Sequence, residues 1–247
     1  MIYVFLPAYN EEIALPKIVK KFSEEMKRQN GPYRLVVLDD GSSDGTARVA
    51  QELSKNYPLM LLRHERNQGL GITMRDGLQH IAEIASDDDL VVTLDCDDTH
   101  EPSFVSKALD KARQGHDVVI LSRFCEGGGE KGLSLVKSIL SRGAGIFLAL
   151  FFPMKGIKEY SCGYRVFRAS ILKKAMKTFG SDFVRLTHLG FAVTPEILIK
   201  MRMLGAKITE SPFVLRYDQK PTKSANKALK TIQGYFAIVL NYWGRHV

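Results

Sequence analysis

The chain has 247 residues, 45% of them hydrophobic and 25% charged, which describes a folded domain with a sizeable core and excludes a disordered or coiled-coil chain. Its three cysteines, Cys96, Cys125 and Cys162, form no CxxC pair and no Cys/His cluster, against a disulfide framework or zinc site and for a reducing compartment. The formal net charge of +8 is uneven: nine Lys/Arg against only Glu210 and Asp218 fall between Lys200 and Val247, a patch that suits a phosphate-bearing partner or an anionic membrane.

Ile2–Leu6 reads as a buried strand, with Pro7 ending its ladder. Asn10 is expected to cap the following helix, which runs to about Arg28 with Ile13, Leu15, Ile18, Val19, Phe22 and Met26 on one face. Arg34–Leu38 is a second strand and runs into Asp39-Asp40-Gly41-Ser42-Ser43-Asp44-Gly45-Thr46. A helix over 47–56, a strand Leu59–Arg63 and a Gly-rich turn at Asn67–Gly71 opening another helix come next.

The central stretch is Leu90–Thr99, an apolar, β-branched run that ends in Asp95, Asp97 and Asp98. Such a run reads as a fully buried parallel strand. Ligands of open α/β sheets bind just beyond the carboxyl ends of the strands. Two carboxylates two residues apart suit a hard cation, Mg²⁺ or Mn²⁺, that itself binds phosphate oxygens. A helix from Glu101-Pro102 to Arg113 and a strand over 117–122 complete a βα alternation that predicts a mostly parallel sheet. No GxGxxG follows the first strand and no Walker A sequence appears, which excludes dinucleotide cofactors and a P-loop ATPase.

After Arg123 the character changes. A Gly-rich loop over 126–132 precedes a helix from about Ser134 that carries Lys137, Ser141 and Arg142 and then the apolar run to Phe152. Lys137 and Ser141, four apart, share one face of it. Helices over 170–178 and 194–204, a strand Ile208–Arg216, a basic loop 217–223 and an amphipathic helix Lys227–Tyr242 ending at Trp243 follow. The apolar run to Phe152 and the Trp243 helix fit a bilayer interface, with core or dimer packing as the alternative. No run reaches the roughly 18–20 apolar residues of a membrane span, and no signal peptide is expected. His64 and His188 have no partners in sequence, and Cys96 reads as a buried thiol rather than a nucleophile.

Taken together, Pro7-Ala8-Tyr9-Asn10-Glu11, the Asp39–Thr46 stretch, Asn67-x-Gly69 and Asp95-x-Asp97 resemble the family 2 glycosyltransferases of GT-A fold. Ser122-Arg123, Ser141-Arg142-Gly143-Ala144, Ser161-Cys162-Gly163-Tyr164-Arg165, Glu196, and Arg216 with Lys223-Ser224 are similar to the dolichyl-phosphate mannose synthase branch. Cys96 stands where the family usually has Ala, and Thr99 where it often has a metal-ligating Gln.

The resemblance implies an α/β, Rossmann-like GT-A sheet with C-terminal amphipathic interface helices. Residues 1–224 would form the catalytic domain, 1–123 binding the nucleotide and 124–224 the acceptor, with 225–247 as the amphipathic helix. It implies an inverting transfer from a GDP-mannose or UDP-glucose type donor, with Mg²⁺ or Mn²⁺, to a polyprenyl phosphate. The protein would sit peripherally on the cytoplasmic membrane face, without nucleic acid and with self-association left open. Asp97 and Asp95 would hold the metal–diphosphate, Asp39 or Asp40 the base or ribose, and Pro7, Tyr9 and Glu11 would line the nucleotide slot. Asp44 is read as a helix cap at Thr46. Arg123, Lys137 and Ser141 would take the acceptor phosphate, and Arg216 and Lys223, with Lys220, would close over the diphosphate. Arg165 would bind phosphate or pair with Glu159 or Glu196. The rival readings are a GT-A enzyme with a hydroxyl acceptor, using Glu196 or Glu159 as base, and a non-catalytic nucleotide-sugar or membrane-binding protein.

Overall fold

The computed structural model describes residues 1–219 and 228–245. Seven strands form one sheet: β1 (Ile2–Ala8), β2 (Tyr33–Asp39), β3 (Leu59–Arg63), β4 (Leu90–Thr93), β5 (Val118–Ser122), β7 (Arg165–Arg168) and β8 (Ile208–Pro212), in the order β3-β2-β1-β4-β7-β5-β8. All neighbours are parallel except β7, which runs antiparallel between β4 and β5. The short strands β6 (Gly129–Lys131) and β9 (Val214–Arg216) pair in a separate two-stranded sheet.

Alternation along β1 shows why the sheet is buried on both faces. Ile2, Val4 and Leu6 pack on α1 (Leu15–Arg28) and α4 (Val105–Arg113), while Tyr3 and Phe5 pack on α3 (Leu70–Ile84). α2 (Thr46–Leu53) follows β2 beside α1. The second layer is completed by α6 (Ala169–Phe179) and α7 (Val193–Met203).

Two local expectations are corrected. Pro7 does not end the first strand: it pairs with Leu38 in register, and β1 runs on to Ala8. Asn10 does not cap α1, which begins at Leu15 behind Ala14 with no side-chain cap. Asn10 instead adopts φ 57° and its Oδ1 accepts from the Ser43 N–H, because the chain must turn back onto the 42–46 loop.

α5 (Leu135–Phe151) and α8 (Ala228–Tyr242) lie together at one side, joined by Phe147 against Phe236 and Phe151 against Trp243, with ring centroids 5.1 and 5.6 Å apart. Their outer faces are apolar and open: Leu150 is 76% and Leu240 84% exposed. Among the described residues, no helix is long and apolar enough to cross a membrane.

Gly77 lets α3 lie against β1, since a Cβ there would come 2.1 Å from Phe5 Cζ. Gly77→Ala should therefore lower stability by about 1–3 kcal/mol through overpacking. Urea unfolding checks this, and an unchanged midpoint would contradict so close a packing.

Candidate active site

The carboxyl ends of β1, β2 and β4 face one edge, on either side of the point where strand order reverses between β1 and β4. The loop after β4 carries Asp95 and Asp97 there and is held tightly. His100 Nδ1 accepts from the Asp95 N–H at 3.1 Å, and the Thr99 N–H and hydroxyl donate to Asp97 Oδ1 at 3.2 and 2.6 Å. Asp98 turns away, with φ 60°, and pairs with Lys21 Nζ at 2.8 Å. Thr99 thus serves this loop by orienting Asp97.

The donor set of Asp95 and Asp97 is hard oxygen and fits Mg²⁺ or Mn²⁺. Among the described residues, no group of three or more His, Cys, Asp or Glu side chains could hold a metal by itself. The arrangement therefore suits a cation that completes its shell with phosphate oxygens and water. Cys96, between the two aspartates, is buried, and burial foremost drives its thiol well above the usual range, which leaves it inert.

Asp39 and Asp40, undivided by sequence, now separate. Asp40 is fully engaged: it contacts His64 Nδ1 at 2.7 Å and accepts from the Gln68 and Gly69 N–H groups at 2.9 and 2.8 Å. It holds the 64–69 turn, which crosses Gly41 (φ 65°) so closely that a Cβ there would overlap the Arg66 backbone. Asp39 is completely buried, and its Oδ1 accepts from the Ser42 N–H at 3.1 Å. No hydrogen-bond donor among the described residues is aligned on its Oδ2, although Arg63 Nε stands 3.1 Å away as an ion pair.

Pro7 lies in β1 and Tyr9 just beyond it, largely exposed. The Glu11 N–H donates to Thr46 Oγ1 at 2.8 Å. Asp44, one residue before the Gly45 N-cap of α2, accepts from the Thr46 N–H at 2.9 Å. Burial alone would raise its pKa, but the hydrogen bonds from Thr46 outweigh it and hold the carboxyl below the usual range.

The acceptor half meets this edge through Arg123, at the end of β5. Its guanidinium donates to both oxygens of buried Glu159, at 2.7 and 3.0 Å, and to Glu130, Ser141 and Ser161. Burial opposes the charge, but Glu159 outweighs it and moves the pKa up. Ser141 is therefore brought onto Arg123. Lys137, one turn earlier on α5, points to Tyr217 instead, donating to its hydroxyl at 3.0 Å. A groove of about 580 Å³ leads from Arg123 along α5, lined by Phe124, Arg142, Ile146, Ala149 and Lys158 among others.

Two expectations move. Arg165 neither faces phosphate nor pairs with Glu159 or Glu196. It is buried, donates to the Thr194 and Tyr160 carbonyls, and burial lowers its pKa to about 10. Glu196 is consumed by the Arg185 and Leu186 N–H groups, Lys200 and the Tyr242 hydroxyl, so it is not a base poised at the edge. Arg216 sits at the end of β9, paired with Asp218 at 2.9 Å, while its N–H donates to the Thr99 carbonyl at 3.0 Å. Lys220 and Lys223 lie outside the described residues. Arg63, His64 and Tyr217 went unnoticed as neighbours of the site, because cross-strand register and a contact spanning 80 residues leave no local pattern.

Residues 3–176 match the model of the family described as Glycosyl transferase family 2, and the chain belongs to that family. It is 30% identical over 228 residues to polyprenol monophosphomannose synthase of Mycolicibacterium smegmatis, across 85% of this chain and 83% of that protein. It is 29% identical over 211 residues to dolichol-phosphate mannosyltransferase of Pyrococcus furiosus; the match takes in 85% of this chain but 55% of that protein, so the chain spans about half its length. Among solved structures, glucosyl-3-phosphoglycerate synthase from Mycobacterium tuberculosis, in complex with Mn²⁺, UDP and phosphoglyceric acid, aligns with a TM-score of 0.67 at 19% identity, over 98% of this chain and 78% of that one. This likeness establishes the expected GT-A fold.

Glu159→Ala should leave the Arg123 charge buried without its bidentate partner. Breaking such a pair costs roughly 3–5 kcal/mol. Chemical denaturation measures the loss; a change below about 1 kcal/mol would mean the pair is solvated.

Proposed function

We propose that the chain is an inverting glycosyltransferase that moves a sugar from a nucleotide-diphosphate donor, of the GDP-mannose or UDP-glucose type, to a polyprenyl phosphate. The observation that carries this reading is the position of the Arg123–Ser141 pair: it joins the carboxyl edge to a helix whose outer face is apolar and exposed. The names of the two mannosyltransferase relatives support the same acceptor class. The Asp95–Asp97 pair supports the nucleotide-diphosphate end.

The acceptor phosphate is already an anionic nucleophile, so no general base is required. One of its oxygens attacks the anomeric carbon in line. The bond from that carbon to the diphosphate oxygen breaks, the electron pair leaves with the nucleoside diphosphate, and the configuration inverts. Bound Mg²⁺ or Mn²⁺ would neutralise charge on that leaving group as a Lewis acid. Asp95 and Asp97 would hold it, with Thr99 and His100 fixing the loop. Arg123 and Ser141 orient the acceptor phosphate, and Lys137 supplies a second cation from the same helix face. Arg216 stands beside the acidic loop, where it adds positive charge at the diphosphate; Lys223 belongs to the same proposal. Pro7, Tyr9, Glu11 and Asp39 form the nucleoside side.

The exposed faces of α5 and α8, with Trp243 and the basic Lys230 and Arg245, favour docking on an anionic bilayer surface at the cytoplasmic face. The groove beside Arg123 offers basic groups and apolar walls together, as a lipid phosphate requires. A hydroxyl acceptor would need a base, and both carboxylates considered for it, Glu159 and Glu196, are committed to internal hydrogen bonds.

The test is transfer from donors labelled in the sugar to polyprenyl phosphate in anionic vesicles, with Mn²⁺ or Mg²⁺. The expected product is organic-extractable and acid-labile. Label appearing only in water-soluble saccharide or protein would overturn the lipid acceptor. In the same assay, Asp97→Asn should lower turnover by roughly a hundredfold or more through loss of metal-assisted leaving-group stabilisation, while thermal unfolding stays within a few degrees of wild type. Retained turnover would remove Asp97 from the metal site.

A further inference from the structure

Arg63 and His64, at the end of β3, face two successive carboxylates at the end of β2. Arg63 and Asp39 are register partners, so their side chains share a face, and His64 beside them takes Asp40. The two pairs differ in one respect. Asp40 has its oxygens filled by His64 and two backbone N–H groups. Asp39 has one oxygen filled, by the Ser42 N–H, and one buried oxygen with no aligned donor among the described residues. A buried carboxylate oxygen left in that state is costly unless a partner arrives. Its cover is the Arg63 side chain, which is 58% exposed while the Asp39 side chain is 0% exposed. Arg63 approaches Asp39 Oδ2 through Nε, at 3.1 Å.

We propose that Arg63 is a specificity residue for the donor's base: it swings off Asp39 Oδ2 as the base enters, yields that oxygen to a ring N–H, and donates to the adjoining ring carbonyl. This inference rests on the nucleotide-donor reading and adds the residue that discriminates the donor's base. An acceptor flanked by a cationic donor matches a ring in which N–H sits next to C=O. Uracil offers this at N3–H with O4 or O2, and guanine at N1–H with O6. Adenine and cytosine present a bare ring nitrogen at the corresponding edge, and a carboxylate oxygen repels it. Such discrimination is strong because the wrong base leaves buried polar groups unpaired. Arg63 is thus a reader, and Asp40 with His64 holds the turn beside it.

The experiment is calorimetric binding of UDP, GDP, ADP and CDP, with Mg²⁺ present, to wild type, Arg63→Gln and Arg63→Lys. Wild type should bind the better of UDP and GDP at least about tenfold tighter than ADP and CDP. Both variants should reduce that ratio by roughly tenfold, as expected for loss of a charged hydrogen bond, and should leave ADP and CDP within about twofold of wild type. Arg63→Lys keeps a cation opposite Asp39, so it reads the ratio even if Arg63→Gln folds poorly. An unchanged ratio in Arg63→Lys, or tighter binding of UDP and GDP, would overturn the role of Arg63 with the donor reading intact. Binding of none of the four nucleotides would instead sink the donor reading itself, and this inference with it.

Discussion

The site depends on how the acidic loop after β4 is clamped from the second half of the chain. β7 enters antiparallel between β4 and β5, which brings the 159–164 segment against β4; Thr93 Oγ1 donates to the Gly163 carbonyl at 2.7 Å. Tyr164 then stacks on His100 with centroids 5.1 Å apart, and Phe213 meets both rings edge-on. β9 closes the arrangement through a bridge between Leu215 and His100. Asp95 and Asp97 are therefore held in place by residues more than 60 positions away. An aromatic cluster is well suited to this, because it adds orientation to burial without adding charge beside the two carboxylates.

The second constraint is electrostatic. The edge gathers carboxylates, and their mutual repulsion is offset locally rather than by the net charge of +8. Arg63 faces Asp39, Lys21 faces Asp98 and Arg123 faces Glu159. Each pair joins different segments of the chain, so compensation of charge also ties the layers together. Where the cation is mostly buried, as at Arg123, it becomes scaffold as well as contact surface. Where it is exposed, as at Arg63 and Lys137, it can exchange one partner for another when a ligand arrives.

Much of this was legible from the sequence. The strand runs of β1, β2, β4 and β5 are apolar and β-branched and end in polar motifs, so both the sheet and the positions of Asp39, Asp95 and Asp97 follow from local pattern. The start of α5 near Ser134 was similarly readable. Short strands were not. β6 and β7 have three and four residues, and their pairing is decided by partners distant in sequence; the single strand expected over 208–216 divides at Phe213 into β8 and β9, which join different sheets. Arg165 misled for a related reason: an arginine in a conspicuous motif looks functional until its carbonyl partners are seen. The division of labour between Asp39 and Asp40 was illegible because it rests on cross-strand register with β3, and on a His64 contact that sequence distance conceals.

The central claim is that the carboxyl edge binds a nucleoside diphosphate through a cation shared with Asp95 and Asp97. Equilibrium dialysis of UDP and GDP, with and without Mn²⁺, tests it most directly. The account predicts that one of the two binds at least tenfold more tightly when Mn²⁺ is present, as expected where phosphate oxygens complete the metal's shell. Binding of equal strength with and without Mn²⁺ would contradict a shared cation, and would shift recognition of the diphosphate to the basic residues alone.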